Sequence, residues 1–263
     1  MPKHAISENI WKIIHIILPE KWKNQKYGRP YFDNRSIIEG IFYVLKSGCH
    51  WSLIPRYYGA YQTIHRRYQE LVRTDFFKKL WHEGLMILHE NGKLQLAHQS
   101  LDGCITKAPL GGRKTGKNPT DRSKIGTKRC VIVDQNGIPL GLSIEGANRH
   151  DSQMLLKTLN NVPYSIKIER NKWLHLDRGF DSKKSREIAA GHNFKAKIAL
   201  KKKRNQKTEI VKEKDIFRWV VERTHSWMNR FRSIYIRWEK KASNYQAMLE
   251  LAAAITVFNK LDL

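Results

Sequence analysis

Three acidic residues, Asp102, Asp177 and Glu222, stand out in a chain of 263 residues whose formal net charge is +25. The two aspartates each follow an apolar, strand-like run, and Glu222 lies on an amphipathic helical pattern. Carboxylates are the hard oxygen ligands that Mg²⁺ prefers, and a pair of such ions can promote the cutting and joining of phosphate backbones. We therefore expect a divalent-metal site that acts on nucleic acid. The simpler alternatives are turn or capping aspartates, and a surface pair between Glu222 and Arg218.

The excess of basic residues indicates a polyanionic partner. Lys and Arg number 49 against 24 Asp and Glu, and clustered cations displace counterions from nucleic acids. A small RNA-coating protein is the alternative, but eight Trp and 41% hydrophobic residues favour a globular core. Three scattered cysteines predict neither a disulfide framework nor a zinc site. No apolar stretch is long enough to span a membrane, so we expect a cytoplasmic, nucleoid-associated protein.

The first part of the chain is predicted to be helical. Apolar residues recur at helical spacing over residues 35–46, and Ser47-Gly48 is typical of a helix end. A second amphipathic pattern covers residues 61–73 and contains Arg66 and Arg67. Two helices around a glycine-containing turn are compatible with a DNA-reading helix-turn-helix, and a packing or dimerisation role is the alternative.

The remainder of the chain alternates between strands and helices. Strands are predicted at 94–101, 128–133, 138–144, 173–176 and 194–200, and helices at 151–159, 181–190, 218–232 and from Ser243, whose spacing to Gln246 resembles a capping box. Asn136-Gly137 predicts a tight hairpin turn. Asp151 is expected to cap its helix, with an auxiliary metal or positioning role beside His150 as the alternative. This order predicts an α/β fold with a mixed sheet flanked by helices.

The helix predicted at 218–232 carries a polar stripe. Arg218, Glu222, His225, Asn229 and Arg232 fall on one side at about 100° per residue. A carboxylate between guanidinium groups suits a site where metal ions meet phosphates.

Several motifs together resemble one known family. They are Gly111 to Arg122 (GGRKTGKNPTDR), Gly126 to Arg129, Ala147 to Asp151 (ANRHD), Trp219 to Thr224 (WVVERT), and near the start Gly48 to Trp51 followed by Leu53 to Pro55. Their order and spread closely resemble the bacterial DDE transposases of the insertion-sequence five family, in the subgroup marked by W-V-V-E-R-T. The resemblance covers nearly the whole chain.

The change from helical to alternating patterns divides the chain into a helix-turn-helix-like DNA-binding region, residues 1–92, and a catalytic domain, residues 93–263. The resemblance implies that the catalytic domain is RNase H-like. It also implies two Mg²⁺ (or Mn²⁺) ions, and cleavage and strand transfer at the ends of a mobile element. On this basis Asp102, Asp177 and Glu222 are the catalytic and metal-binding triad. A non-catalytic DNA-binding protein derived from a transposase, and a nuclease that cannot join strands, remain the alternatives.

The expected partners are terminal inverted repeats and target DNA, bound by a homodimer, with no membrane partner. The residues expected to contact DNA are Arg66, Arg67, Arg113, Lys114, Lys117, Arg218, Arg223 and Arg230. No nucleotide cofactor is expected, because the P-loop-like Gly111 to Lys117 is followed by Asn118 in place of Ser or Thr.

Overall fold

The computed structural model describes residues 6–23, 32–168, 172–198 and 217–261. Along these residues the elements are α1 (Glu8–Ile17), α2 (Glu20–Lys23), α3 (Asn34–Ser47), α4 (Tyr61–Arg73), α5 (Phe76–Glu90), β1 (His98–Lys107), β2 (Gly116–Lys117), β3 (Ile125–Val133), β4 (Pro139–Gly146), α6 (Ser152–Asn160), α7 (Tyr164–Lys167), β5 (Lys172–Leu176), α8 (Lys183–Gly191), β6 (Phe194–Ile198), α9 (Arg218–Met228), α10 (Arg232–Tyr235) and α11 (Ala242–Phe258). None of the helices in the described part of the chain has the length and hydropathy to cross a bilayer. The last two residues of the strand predicted at 194–200 lie outside the described residues.

The chain forms two compact units. One, the helical unit, combines residues 1–87 with 228–263, and the other, the sheet unit, is residues 88–227. The helical unit thus gathers the two ends of the sequence, and the sheet unit is continuous. The functional boundary between residues 92 and 93 stays a prediction.

Helices α3 and α4 are the pair predicted from the sequence. Asp33 caps α3, because its Oδ2 accepts the Ser36 N–H at 2.8 Å, and Gly48 ends the helix with φ +67°. The apolar faces of the two helices pack together. Residues 48–60 connect the two helices and contain two short 3-10 helices. This connection is longer than the turn of about three or four residues in a helix-turn-helix. The helical region is therefore confirmed, but its connection is not that short turn.

Helix α11 is the buried centre of the helical unit. Thirteen of its residues are buried, so the helix is enclosed on all sides, and most of these residues are apolar. Tyr68 of α4 donates from its hydroxyl to the Asn244 carbonyl at 2.6 Å. The capping-box prediction for Ser243 is wrong, because the helix begins one residue earlier and Lys241 at its N-cap makes no side-chain capping bond.

The sheet of the second unit has the order β2-β3-β1-β5-β6, with β4 also paired to β3. Strand β3 is antiparallel to both β1 and β4, whereas β5 and β6 run parallel to β1. The β3–β4 hairpin turns at Asn136-Gly137, as predicted, with Gly137 at φ +84°. The predicted α/β fold with a mixed, helix-flanked sheet is confirmed.

Helices cover both faces of this sheet. Helices α6 and α8 contact each other and the strands. Lys128 and Arg129 are neighbours on β3, so their side chains point to opposite faces. Lys128 pairs with Asp151 beside α6, whereas Arg129 donates to the His225 carbonyl of α9 at 3.5 Å. Helix α9 therefore lies on the face opposite α6.

Candidate active site

Asp102 lies on β1, and Asp177 directly follows β5, the strand paired with β1. Strands β1 and β5 are parallel and pair Leu101 with Leu176, and each aspartate comes one residue after this pair. Adjacent strands are about 4.8 Å apart, and paired residues face the same side. Strand β5 ends at Leu176, but β1 continues to Lys107. Asp102 is therefore inside a strand, and the prediction that it closes one is wrong.

Helix α9 places Glu222 through the residues around it. Val220 and Val221 are fully buried, while the Glu222 side chain is 57% exposed. Thr224 donates from its hydroxyl to the Gly137 carbonyl at 2.8 Å. A side chain at position 137 would collide with Thr224, since a Cβ there would lie 2.8 Å from its hydroxyl oxygen. The W-V-V-E-R-T run thus anchors the helix to the hairpin turn and leaves its glutamate free to face outward.

Arg223 completes this anchor. Its guanidinium lies 4.7 Å from the ring centres of both Trp219 and Trp227 and donates to the Asn136 carbonyl at 2.9 Å. Cation–π contacts on two rings hold the group in place. The charge predicted to contact DNA is therefore engaged in holding α9.

A single guanidinium joins two of the three acids. Arg218 contacts the Asp177 Oδ1 through Nη1 and the Glu222 Oε1 through Nη2, each at 3.2 Å. Two acids from a strand end and a helix, 45 residues apart in sequence, thus converge on one positive group. The predicted i, i+4 pair is present, but it is half of a three-residue bridge.

Asp102 has a different environment from the other two acids. Burial raises the pKa of its carboxyl to about 6, and the charges of Asp177 and Asp151 add to the rise. The Gly103 N–H, which donates to its Oδ1 at 2.8 Å, and the nearby Arg218 act in the opposite direction. A cation placed beside this carboxylate would offset the cost of its burial.

A fourth carboxylate, that of Asp151, lies against strands β1 and β3. Asp151 Oδ1 pairs with Lys128 Nζ at 3.0 Å, and Lys128 also donates to the Arg149 carbonyl at 2.7 Å. A Cβ at position 103 would lie 2.5 Å from Asp151 Oδ1, so a side chain there would displace the Asp151 carboxylate that pairs with Lys128. Asp151 occupies the predicted N-cap position of α6, but its side chain makes no capping bond there and pairs with Lys128 instead, which supports the alternative positioning role.

A second supporting group, which no sequence motif indicated, lies at the start of α9. His98 Nδ1 and His175 Nε2 are 3.0 Å apart on neighbouring strands. Ser100 donates from its hydroxyl to the Phe217 carbonyl at 2.7 Å, and the Phe217 N–H donates to His175 Nδ1 at 3.4 Å. Burial lowers the pKa of His175 to about 4, so its ring is neutral near pH 7 and can accept this bond. These residues fix the helix end that carries Arg218.

The polar stripe predicted on residues 218–232 is only partly present. Helix α9 ends at Met228, and Arg232 begins α10 among residues that pack with the helical unit. His225 is buried and lies with its Nε2 3.4 Å from the Asp102 carbonyl. Arg218 and Glu222 therefore keep the predicted arrangement, and Arg232 does not flank Glu222 on this helix.

The other residues predicted to contact DNA differ in their exposure. Arg66 is exposed, but Arg67 is only 4% exposed, lies over the Trp22 ring at 4.3 Å and pairs with Glu70 at 3.5 Å. Arg67 thus has a structural position, because a phosphate could not reach it without displacing these contacts. The remaining members are exposed, namely Arg113, Lys114, Lys117 and Arg230.

Comparison with known proteins identifies the family. Residues 95–257 match the family model described as "Transposase DDE domain", and residues 6–81 match "Putative transposase of IS4/5 family". The chain belongs to the DDE transposases of insertion sequences. Assignment to the W-V-V-E-R-T subgroup stays a prediction.

Two relatives of the transposase come from Burkholderia cepacia. The chain is 35% identical to the "Putative transposase for insertion sequence element IS402" over 156 residues, which cover 57% of this chain and 72% of that protein. It is 26% identical to the "Insertion element IS402 uncharacterized 16.2 kDa protein" over 123 residues, 45% of this chain and 84% of that one.

Among solved structures, the transposase is similar to the Mos1 transposase in its paired-end complex with the left transposon end. The identity is 10%, the TM-score is 0.33, and the match covers 89% of this chain and 82% of that one. The catalytic domain of Mos1 mariner transposase matches with 10% identity and a TM-score of 0.31, over 70% of this chain and 91% of that one. At these scores the likeness carries no further weight.

As a DDE transposase, the protein acts on DNA and uses divalent metal ions. Within the described ranges, no three His, Cys, Asp or Glu side chains are placed so that together they could hold a metal ion. The donor set nevertheless fits such ions, because all three side chains are carboxylates and Asp177 and Glu222 already share one cationic group. Arg218 therefore stands in the structure as the positive partner of two of the predicted ligands.

Proposed function

We propose that this transposase binds the terminal inverted repeats of an insertion sequence and catalyses metal-dependent cleavage and strand transfer with Asp102, Asp177 and Glu222. The observation that carries the proposal is their placement. Asp102 and Asp177 each come one residue after the paired Leu101 and Leu176, and Arg218 joins Asp177 to Glu222. Three acids from distant parts of a +25 chain are thereby gathered in its sheet unit.

We propose that the three carboxylates hold two Mg²⁺ or Mn²⁺ ions. When bound, the ions would activate the attacking hydroxyl group and stabilise the leaving oxygen. Arg218 would then turn from the carboxylates to a phosphate oxygen of the DNA, since guanidinium groups bind carboxylate and phosphate oxygens with similar geometry. Asp151 and Lys128 would keep the Asp102–Gly103 segment in place during the reaction.

DNA contacts are proposed for the exposed basic side chains. Residues 1–92 would bind element ends and residues 93–263 would catalyse, with a homodimer joining two ends to target DNA at the nucleoid. The contacts proposed are those of Arg66, Arg113, Lys114, Lys117, Arg218 and Arg230, all of which are wholly or partly exposed. Each phosphate contact adds a salt-dependent contribution to affinity. Arg67 and Arg223 are left out because both are engaged within the protein.

A strand-transfer assay separates the proposal from its alternatives. Linear DNA carrying the element's own ends is incubated with the full chain, Mg²⁺ and a circular target. We expect cleaved ends joined to the target, and no product with Asp102→Asn. Cleavage without joining would favour a nuclease, and binding without cleavage would favour a non-catalytic binder.

A further inference from the structure

The helical unit contains an open cleft of about 360 Å³ beside the start of α4. Its lining residues are His50, Trp51, Tyr61, Gln62, His65 and Arg66. Small-molecule sites typically measure about 300–1,000 Å³ and combine aromatic walls with a few polar groups. The cleft has this size and composition, and it contains the one exposed arginine of α4 that we propose to contact DNA.

The aromatic wall of the cleft is held rigidly. The Trp51 ring packs 4.9 Å from the rings of His65 and the buried Tyr68, and its Nε1 donates to Glu239 at 3.4 Å. His50 caps the 3-10 helix that begins at Trp51, because its ring accepts the Ser52 N–H at 3.3 Å. A wall fixed in this way needs little ordering when a ligand binds.

The opposite side of the cleft is open to solvent and positively charged. Tyr61 is 39% exposed, Gln62 and Arg66 are exposed, and the lining contains no acidic residue. Phosphate alone would need only the arginine, whereas the rings and the amide suit a flat ligand with a hydrogen-bonding edge. A nucleobase has both properties, and its own phosphate would lie within reach of a basic side chain.

We propose that this cleft receives an unpaired nucleobase of the bound DNA, with Tyr61 as a stacking surface and Arg66 on the adjoining phosphate. The proposal rests on the DNA binding proposed above and deepens it, because it adds recognition of an unstacked base to contact with phosphates. A base that is already single-stranded is the easiest to receive, since no pairing or stacking has to be broken.

The test compares two DNA probes of equal charge. One is a short duplex with a single-stranded thymine overhang, and the other is the same duplex with an abasic overhang. Stacking on an aromatic side chain typically contributes about 5- to 150-fold in affinity. We expect the full-length protein to bind the thymine probe about tenfold more tightly by fluorescence anisotropy, which corresponds to about 1.4 kcal/mol.

Four variants test whether this preference belongs to the cleft. Tyr61→Ala should reduce the preference to about onefold, whereas Tyr61→Phe, which keeps the ring, should retain it. Tyr235→Ala removes another exposed tyrosine of the same unit, 59% exposed and outside the cleft, and should retain the preference. Arg66→Ala should weaken binding of both probes alike.

The outcomes distinguish the cleft from the proposed function. Equal binding of the two probes, or a preference that survives in a folded Tyr61→Ala protein, overturns the nucleobase proposal and leaves DNA binding in place. Failure to bind either probe, or the element's ends, overturns both.

Discussion

Replacing Arg218 with Gln tests the arrangement of the site most directly. The change removes the positive charge that Asp177 and Glu222 share, at 3.2 Å from each, and keeps a side chain of similar length. The partner side chains are 41% and 57% exposed, so each pair is worth about 0.2–1 kcal/mol. The total loss of unfolding free energy should be about 1 kcal/mol, or about 2–4 °C in Tm for a protein of this size.

The expected loss of activity is much larger than this loss of stability. Removing one preorganised donor from a developing charge typically lowers the rate about 10²- to 10³-fold, or about 3–4 kcal/mol. In the absence of DNA, Mn²⁺ should bind the Gln variant more tightly than the unmodified protein, because the competing guanidinium is gone. Activity and metal affinity should therefore change in opposite directions.

Three measurements decide the matter, namely thermal denaturation, the cleavage rate at saturating metal and DNA, and Mn²⁺ titration without DNA. Arg186→Gln is the matched control, because Arg186 pairs with Asp181 at 2.9 Å on the surface of the same unit. A cleavage defect no larger than the control's, or weaker Mn²⁺ binding by the Arg218 variant, would refute the reasoning and leave Arg218 as a structural ion pair.

Three further predictions follow from other parts of the chain. Asp102→Asn should abolish cleavage while gel shifts show that binding of element ends is kept, and normal cleavage by the folded variant would remove Asp102 from the triad. Arg66→Ala should make the salt dependence of DNA binding less steep by about one in log–log slope. Arg73→Ala, at an exposed arginine of the same helix, is the control and should leave the slope unchanged. An unchanged slope in the Arg66 variant would mean that Arg66 contacts no phosphate. Burial raises the pKa of Glu250 from 4.5 to about 7, so the folded protein holds a proton that the unfolded chain has lost. The unfolding free energy should fall by about 3 kcal/mol as the pH rises from 4.5 to about 7, and Glu250→Gln should remove that fall. If urea denaturation gave parallel pH curves for the unmodified protein and the Gln variant, the prediction would be contradicted.

Local patterns were enough to predict most of the elements. The bounds of α4 agree with the spacing of its apolar residues, and the β3–β4 hairpin turns at the expected Asn136-Gly137. Both depend on interactions between residues close in sequence, which are the ones that a periodic pattern records. The end of α9 at Met228 was missed because the polar pattern continues past the point where the helix stops.

The site was predictable in its residue types and not in its contacts. Arg67 counted as a DNA contact because its helix is basic, but it packs on Trp22, 45 residues earlier in the sequence. Likewise, the pairing of His98 with His175 depends on the parallel register of β1 and β5, which no local pattern specifies. The resemblance in motifs located the acids, whereas the bridge through Arg218 to Asp177 became visible only in three dimensions.

The division of the chain into units has a consequence for its synthesis. Residues 88–227 are continuous, so this unit can fold as soon as they leave the ribosome, whereas the helical unit lacks α11 until residues 228–263 are made. Until then Tyr68 has no Asn244 carbonyl to bond, and the apolar faces that surround α11 stay exposed to water. Nascent chains would thus complete the sheet unit, which contains the three acids, before they complete the helical unit, which contains Arg66. A chain released before residue 228 would have a complete sheet unit and an incomplete helical unit.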